Sequence, residues 1–215
     1  MGFILNLKKD LQEKYISALI RRKTMLTPAR IQSLKDLAHR IDEEGIPGDV
    51  VECGVYRGGS AALVARVATR SRFQRQVWLF DAFRGMPPAT SVDGPEAASW
   101  VGGLRSSPER VSRLLRRVGV DMDRVHIVPG LFQNTFPTVQ IQQIALLNID
   151  ADWYESVKLC LEAFYDAVDP GGFVSLDDYG AWPGCRLAVD EFFQRRGLSH
   201  KLVRVDQEAY WFQKR

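Results

Sequence analysis

The sequence predicts a doubly wound α/β domain with a mostly parallel sheet, and three observations carry that prediction. Five short, continuous apolar runs recur along the chain: Val50–Cys53, Val77–Asp81, Val125–Val128, Ile144–Asp150 and Phe173–Asp177. Segments of helical spacing or of glycine and proline lie between them, the pattern of parallel strands buried on both faces. Four of the runs also place an acid at or near the carboxyl end, at Glu52, Asp81, Asp150 and Asp177. Ligands of open parallel sheets bind at that edge.

The elements follow in order. Ile4, Leu7, Leu11, Tyr15, Ala18 and Leu19 recur with helical period over residues 4–22. A second helix is expected from Pro28 to Glu44, with Ile31, Leu34, Leu37, Ala38 and Ile41 on one face. "GIPGD" at 45–49 punctuates. Residues 1–47 thus form a helical extension, and residues 48–215 the core domain. After the first strand, a helix is expected over Ser60–Thr69. After Ile144–Asp150, another carries Trp153, Val157, Cys160, Leu161, Phe164 and Val168 on one face, with "DPGG" at 169–172 as its stop. Two late strands, Lys201–Val205 and Ala209–Phe212, are separated by so short a link that they form an antiparallel hairpin. Residues 84–110 have no period and are rich in Gly, Pro and Ser. Their place after a strand's carboxyl end predicts a lid.

Composition excludes several classes. Net charge is +3, too little for a polyanion partner, and no Lys/Arg run is dense enough for nucleic acid. Cys53, Cys160 and Cys185 are odd in number and widely spaced, which argues against disulfides or zinc and suits a reducing cytosol. No apolar run reaches membrane-spanning length, and "MGFILNLKK" is wrongly built for a secretory signal. The expectation is a cytoplasmic protein without nucleic-acid or membrane partners.

The glycine turn "VVECGVYRGGS" at 50–60 fits neither common phosphate loop. Dinucleotide folds use G-x-G-x-x-G, whereas here Gly54 is followed by Gly58 and Gly59. The P-loop gap exists between Gly54 and Gly59, but Ser60 stands where that loop needs Lys. A nucleoside with no terminal phosphate fits better, and Asp81 is spaced to accept ribose hydroxyls. S-adenosylmethionine is such a ligand.

"GIPGDVVECGVYRGGS", "DAFRGMPP", "PGLFQNTFP", "LLNIDADWYESV" and "PGGFVSLDDYG…GCRLAVDEF" resemble the macrocin-type O-methyltransferases, from about Thr24 to Phe193. The D-x-D-x-Y-E-S and L-D-D-Y-G motifs are the specific part. The resemblance implies a seven-stranded Rossmann-like methyltransferase sheet with a C-terminal antiparallel hairpin. It implies S-adenosyl-L-methionine and Mg²⁺ as cofactors, and a hydroxyl of an antibiotic sugar or other polyhydroxylated natural product as acceptor. Carried over by motif, Asp150, Asp177 and Asp178 would be metal ligands, with Asp150 also the general base. Thr24, Met25, Glu52, Gly54, Tyr56, Gly58, Gly59, Ser60, Asp81, Gly130 and Phe132 would form the cofactor site. The segment after Asp81 holds no histidine to act as a second base.

The residues themselves fit that chemistry. Adjacent carboxylates at a strand end repel one another and bind protons unless a cation intervenes. An oxygen-only set suits Mg²⁺ better than zinc. Asp152 is read instead as the cap of the helix opening at Trp153, because Glu155 stands at capping-box distance. His126 reads as a packed strand side chain, and His39 and His200 fall away from the site edge. Trp153 and Tyr154 begin a helix at that edge, where acceptor contact and core packing are equally open. Trp100 is a candidate acceptor wall. Two other functions stay open at this level: a metal-dependent phosphoester hydrolase and a catalytically inactive nucleoside-binding module. The N-terminal helices offer a face for a homo-oligomer.

Overall fold

The computed structural model describes residues 2–215, with side chains described from residue 10 onward. The Ile4 and Leu7 side chains of the expected first helix therefore lie outside the described residues.

Two helices lead, α1 (Gly2–Arg21) and α2 (Pro28–Glu43). Thr27 caps α2, its hydroxyl accepting from the Arg30 amide, and Pro28 fills the first turn, where a missing N–H costs nothing. Alternation follows: β1 (Asp49–Cys53), α3 (Gly59–Ala68), β2 (Val77–Asp81), α4 (Pro108–Arg117), β3 (Val125–Pro129), the short α5 (Phe132–Thr135), β4 (Ile144–Ile149), α6 (Tyr154–Phe164), β5 (Val168–Leu176), α7 (Pro183–Arg196), β6 (Val203–Arg204) and β7 (Tyr210–Gln213). The sheet runs β3-β2-β1-β4-β5-β7-β6. Its first five strands are parallel, while β7 pairs antiparallel with both β5 and β6. β1 and β4 lie side by side at the centre, so the chain reverses direction of winding between them, and their carboxyl ends border the crevice where ligands bind.

Both faces are covered. Val50, Leu79 and Leu146 pack beneath α2, α3 and α4, and Ile16 and Ile20 of α1 belong to the same cluster. Val51, Phe80, Leu147 and Val174 pack beneath α6 and α7. Burying a Leu or Val side chain of this kind contributes about 1.5–3 kcal/mol. Double coverage explains why these strands read as continuous apolar runs.

Three expectations are corrected. The helix after Asp150 ends at Phe164, and Val168 belongs to β5. "DPGG" is not its stop but a bulge inside β5: between Ile144 and Leu146 of β4, the paired residue jumps from Val168 to Phe173. Gly171 takes φ +98 there, and its N–H donates to the Lys214 carbonyl beside β7. Proline and glycine mark helix ends and strand bulges alike, which is why composition misled. The last two strands are also shorter than expected.

Residues 84–110 are folded. They contain two 3₁₀ turns, Ser91–Asp93 and Ala97–Trp100, and α4 begins before they end. Met86 N–H donates to the Gly103 carbonyl at 3.0 Å and Gly102 N–H to Met86 at 2.9 Å, closing the neck of a loop over 86–103. No described helix is long and apolar enough to cross a membrane.

Candidate active site

The glycines after β1 make room for the chain itself. Gly54 has φ +93, and a Cβ there would overlap the Asp150 carbonyl oxygen at the end of β4. Gly58 takes a left-handed φ of +83 at the N-cap of α3. A Cβ on Gly59 would stand 2.6 Å from Thr24, whose neighbour Lys23 accepts the Gly59 N–H at 3.1 Å. The turn therefore brings β4's carboxyl end and the α1–α2 link close together.

Asp81 organises the same turn. Its Oδ2 accepts from the Val55 and Tyr56 amides at 2.8 and 2.7 Å, and its Oδ1 from Phe83 at 2.6 Å. Tyr56 and Phe83 are held at positive φ, 48 and 55, a strain that these bonds offset. One lone pair of Oδ1 stays free for a ligand hydroxyl.

A cavity of about 470 Å³ opens at this edge, within the usual range for small-molecule sites. Of the predicted cofactor residues, Gly54, Tyr56, Asp81, Gly130 and Phe132 line it, as does Asp150. Glu52, Gly58, Gly59 and Ser60 stand behind the lining, buried or nearly so. Thr24 packs on Gly59 outside the lining, and Met25 is 62% exposed. Trp100 is exposed and contributes nothing to the cavity wall; Pro87, Pro88, Thr90 and Asp93 of the same loop do.

Asp150, Asp177 and Asp178 converge. Each offers a carboxylate oxygen within 4.8 Å of those of the other two. They come from the ends of adjacent strands, β4 and β5, so sheet register sets their spacing. Burial and the neighbouring aspartates push Asp150 and Asp178 well above the ordinary carboxyl range. Burial takes Asp177 up to about 6, opposed by Arg30, which donates to its Oδ2 at 2.8 Å. Arg30 is 9% exposed and also donates to Asp206 at 2.9 Å and to Glu208, both in the β6–β7 turn. Burial works to raise Asp206, but the Ala209 and Glu208 amides and Arg30 hold it well down.

Asp152 does not cap α6. It sits at φ +57, its backbone N–H donates to Asp178 and its Oδ1 accepts from the Trp182 indole at 3.1 Å. Burial raises its carboxyl to about 7 despite that indole. The cap arrives instead from Asp93, whose Oδ1 accepts from the Tyr154 amide at 2.7 Å. Sequence spacing had no access to a partner 61 residues away. His126 stacks on Trp78, and His200 stacks on Phe212; both are packing residues. Trp153 is buried at 2%, with its indole donating to the Pro87 carbonyl.

Glu52 lies behind the cavity lining. It is fully buried; Oε1 accepts from the Ser60 hydroxyl at 2.6 Å, while Oε2 has no hydrogen-bond partner among the described residues. Burial takes this carboxyl up to about 8, against the Ser60 bond. The edge as a whole gathers Glu52, Asp81, Asp150, Asp152, Asp177 and Asp178, with Arg30 as the basic hydrogen-bond partner among the described residues. Such a site suits positively charged ligands, which a sulfonium nucleoside with its ammonium and a hard divalent ion both are.

This sheet, with β7 antiparallel beside β5 and a carboxylate-lined crevice at the β1–β4 edge, has the Rossmann-like architecture of S-adenosylmethionine-dependent methyltransferases. The chain belongs to the macrocin-O-methyltransferase (TylF) family, whose model matches residues 19–214. It is 35% identical over 198 residues to mycinamicin III 3''-O-methyltransferase of Micromonospora griseorubida, covering 87% of this chain and 77% of that one. It is 34% identical over 189 residues to the 8-demethyl-8-(2,3-dimethoxy-alpha-L-rhamnosyl)-tetracenomycin-C 4'-O-methyltransferase of Streptomyces olivaceus, covering 85% and 72%. The solved O-methyltransferase NovP superposes with a TM-score of 0.79 at 30% identity, over 89% of this chain and 82% of that one. Family membership sets aside the phosphoester hydrolase and the inactive module.

Proposed function

We propose that the protein is a Mg²⁺-dependent enzyme that methylates a hydroxyl of a sugar, or of another polyhydroxylated natural product, in antibiotic biosynthesis. One observation carries the reading: three aspartates from neighbouring strand ends converge, and one of them, Asp150, also lines the cavity. The relatives' names support an oxygen acceptor on an antibiotic, at the 3'' position of mycinamicin III and the 4' position of a rhamnosyl-tetracenomycin, the second of which names a sugar.

Asp150, Asp177 and Asp178 would hold the ion. Bound there, a divalent cation supplies a Lewis acid that makes an alcohol hydroxyl more acidic. Overall, an S–CH₃ bond is exchanged for an O–CH₃ bond and one proton is released. Asp150 accepts that proton at a carboxylate oxygen, as general base. The turn at Gly54–Tyr56, with Asp81, Gly130 and Phe132, binds the nucleoside; Glu52, Gly58, Gly59, Ser60 and Thr24 back that pocket. The 86–103 loop covers the acceptor side and limits access of water.

Two features beyond the site belong to this reading. Leu11 and Tyr15 are 58% and 50% exposed on α1, a face for a second copy of the chain; sedimentation at micromolar concentration tests it, and a monomer there contradicts it. Cys53, Cys160 and Cys185 are free, buried thiols, in keeping with a reducing cytoplasm.

The test is transfer of a labelled methyl from S-adenosylmethionine to a panel of deoxysugar glycosides. Transfer is expected to stop with EDTA and return with Mg²⁺. Full turnover in EDTA contradicts metal dependence, and transfer only to acceptors that are neither sugars nor polyhydroxylated contradicts the substrate class.

A further inference from the structure

Helix α6 starts without a local side-chain cap: Trp153 occupies the N-cap and contributes backbone alone. Its first free amide is met by Asp93, from the tip of the 86–103 loop. Asp93 is 1% exposed. Its Oδ2 accepts from the Thr90 amide at 2.7 Å and the Thr90 hydroxyl at 2.8 Å, so the carboxylate is rigid before it reaches Tyr154.

A second helix start meets the same group. Gly184 lies in the first turn of α7, and a Cβ there would overlap Asp93 Oδ1. No positive φ demands glycine at 184. What demands it is the carboxylate, lodged between the N-termini of α6 and α7, where both helix dipoles favour a negative charge. The loop is thus closed at its neck by Met86 with Gly102 and Gly103, and held at its tip by one side chain. Between the two, Trp153 donates to Pro87, and Pro87, Pro88 and Thr90 face the cavity.

We propose that Asp93 is a positioning residue: its carboxylate docks the 86–103 loop across the starts of α6 and α7 and so fixes the acceptor-side wall of the cavity. The dock falls on Tyr154, four residues after Asp150, in α6's leading turn, so the wall is tied to the same short segment that carries the proposed base. Removing the catch frees the loop without touching the nucleoside pocket at Gly54–Tyr56.

The test compares wild type with D93A, G184A and the double variant. G184A attacks the dock from α7 and leaves the loop's sequence intact, so it serves even if D93A folds poorly. Hydrogen exchange at the Tyr154 amide is expected to quicken roughly 5- to 30-fold in either single variant, the range for loss of a helix cap. Trypsin is expected to cut faster at Arg84 and Arg105, which are exposed and flank the loop. Affinity for S-adenosylhomocysteine stays within about twofold of wild type, as does amide exchange in β1 and β4. With a glycoside that the wild type methylates, its KM rises while the KM for S-adenosylmethionine does not. Both single variants break one contact, so the double variant is no worse than the more severe single one. Unchanged exchange at Tyr154 in D93A, additive effects in the double variant, or a parallel loss of nucleoside affinity each overturn the proposal.

Discussion

Replacing Arg30 by Met keeps much of its aliphatic stem and removes the charge that faces Asp177. Cutting one partner from a buried ion pair costs about 3–5 kcal/mol when the orphaned charge must remain. Asp177 has an escape, because it can take up a proton. With Arg30 present its carboxyl already stands at about 6 against an ordinary 3.8, so holding it ionised at pH 7 costs roughly 3 kcal/mol. A permanently neutral Asp177 would cost roughly 4.4 kcal/mol at that pH, which limits the added loss there to about 1.4 kcal/mol. Losing the partly exposed Asp206 partner adds about 1 kcal/mol, and half-exposed Glu208 adds little. R30M is therefore expected to lose about 2–3 kcal/mol at pH 7. At pH 5, below its folded value, Asp177 is mostly protonated in the wild type too, so only the Asp206 share of about 1 kcal/mol remains. Urea denaturation in EDTA at both pH values measures this. A loss equal at pH 5 and pH 7, or under about 0.5 kcal/mol at pH 7, refutes the reasoning.

Three further outcomes follow from the same geometry. D150N is expected to lower kcat by about 10²–10⁴ and to weaken Mg²⁺ binding, read by turnover and calorimetry; full turnover with intact metal affinity removes Asp150 from both roles. G54A forces a methyl against the Asp150 carbonyl at φ +93, so a loss above about 1 kcal/mol in denaturation and collapse of transfer are expected together. Asp177, Asp152 and Glu52 all have folded values raised above their ordinary ones, to about 6, 7 and 8. Their contribution is therefore fully present below pH 4 and falls as pH climbs through 6 to 8. Metal-free protein should gain stability from pH 8 down to pH 5, and saturating Mg²⁺ should stabilise more at pH 8 than at pH 5, as thermal melts would record.

Much of this was legible in the chain, and the remainder has physical reasons for its silence. Double burial wrote the parallel strands as continuous apolar runs, and the acids at their ends marked the site edge. "DPGG" was misread because a bulge and a helix stop use the same residues. Arg30 did leave a signal: it sits one turn before Leu34 on the apolar stripe of α2, where a solvated arginine does not belong. Its partners Asp177, Asp206 and Glu208 are more than 140 residues away, beyond any local pattern. Asp93 left only its capping-box spacing from Thr90, which says nothing of α6 or α7, and Gly184 left none, since the carboxylate that requires it lies 91 residues earlier. Asp152 looked like a cap because spacing counts residues and cannot register that its backbone turns left-handed at φ +57.

The most direct measurement is a crystal grown with Mn²⁺ in place of Mg²⁺ together with S-adenosylhomocysteine, with anomalous scattering used to locate the metal. A single strong peak among the carboxylates of Asp150, Asp177 and Asp178, beside a nucleoside resting on the Gly54–Tyr56 turn, is the expected result. No peak there at millimolar Mn²⁺, or a metal bound elsewhere in the cavity while those carboxylates keep only each other and Arg30, contradicts it.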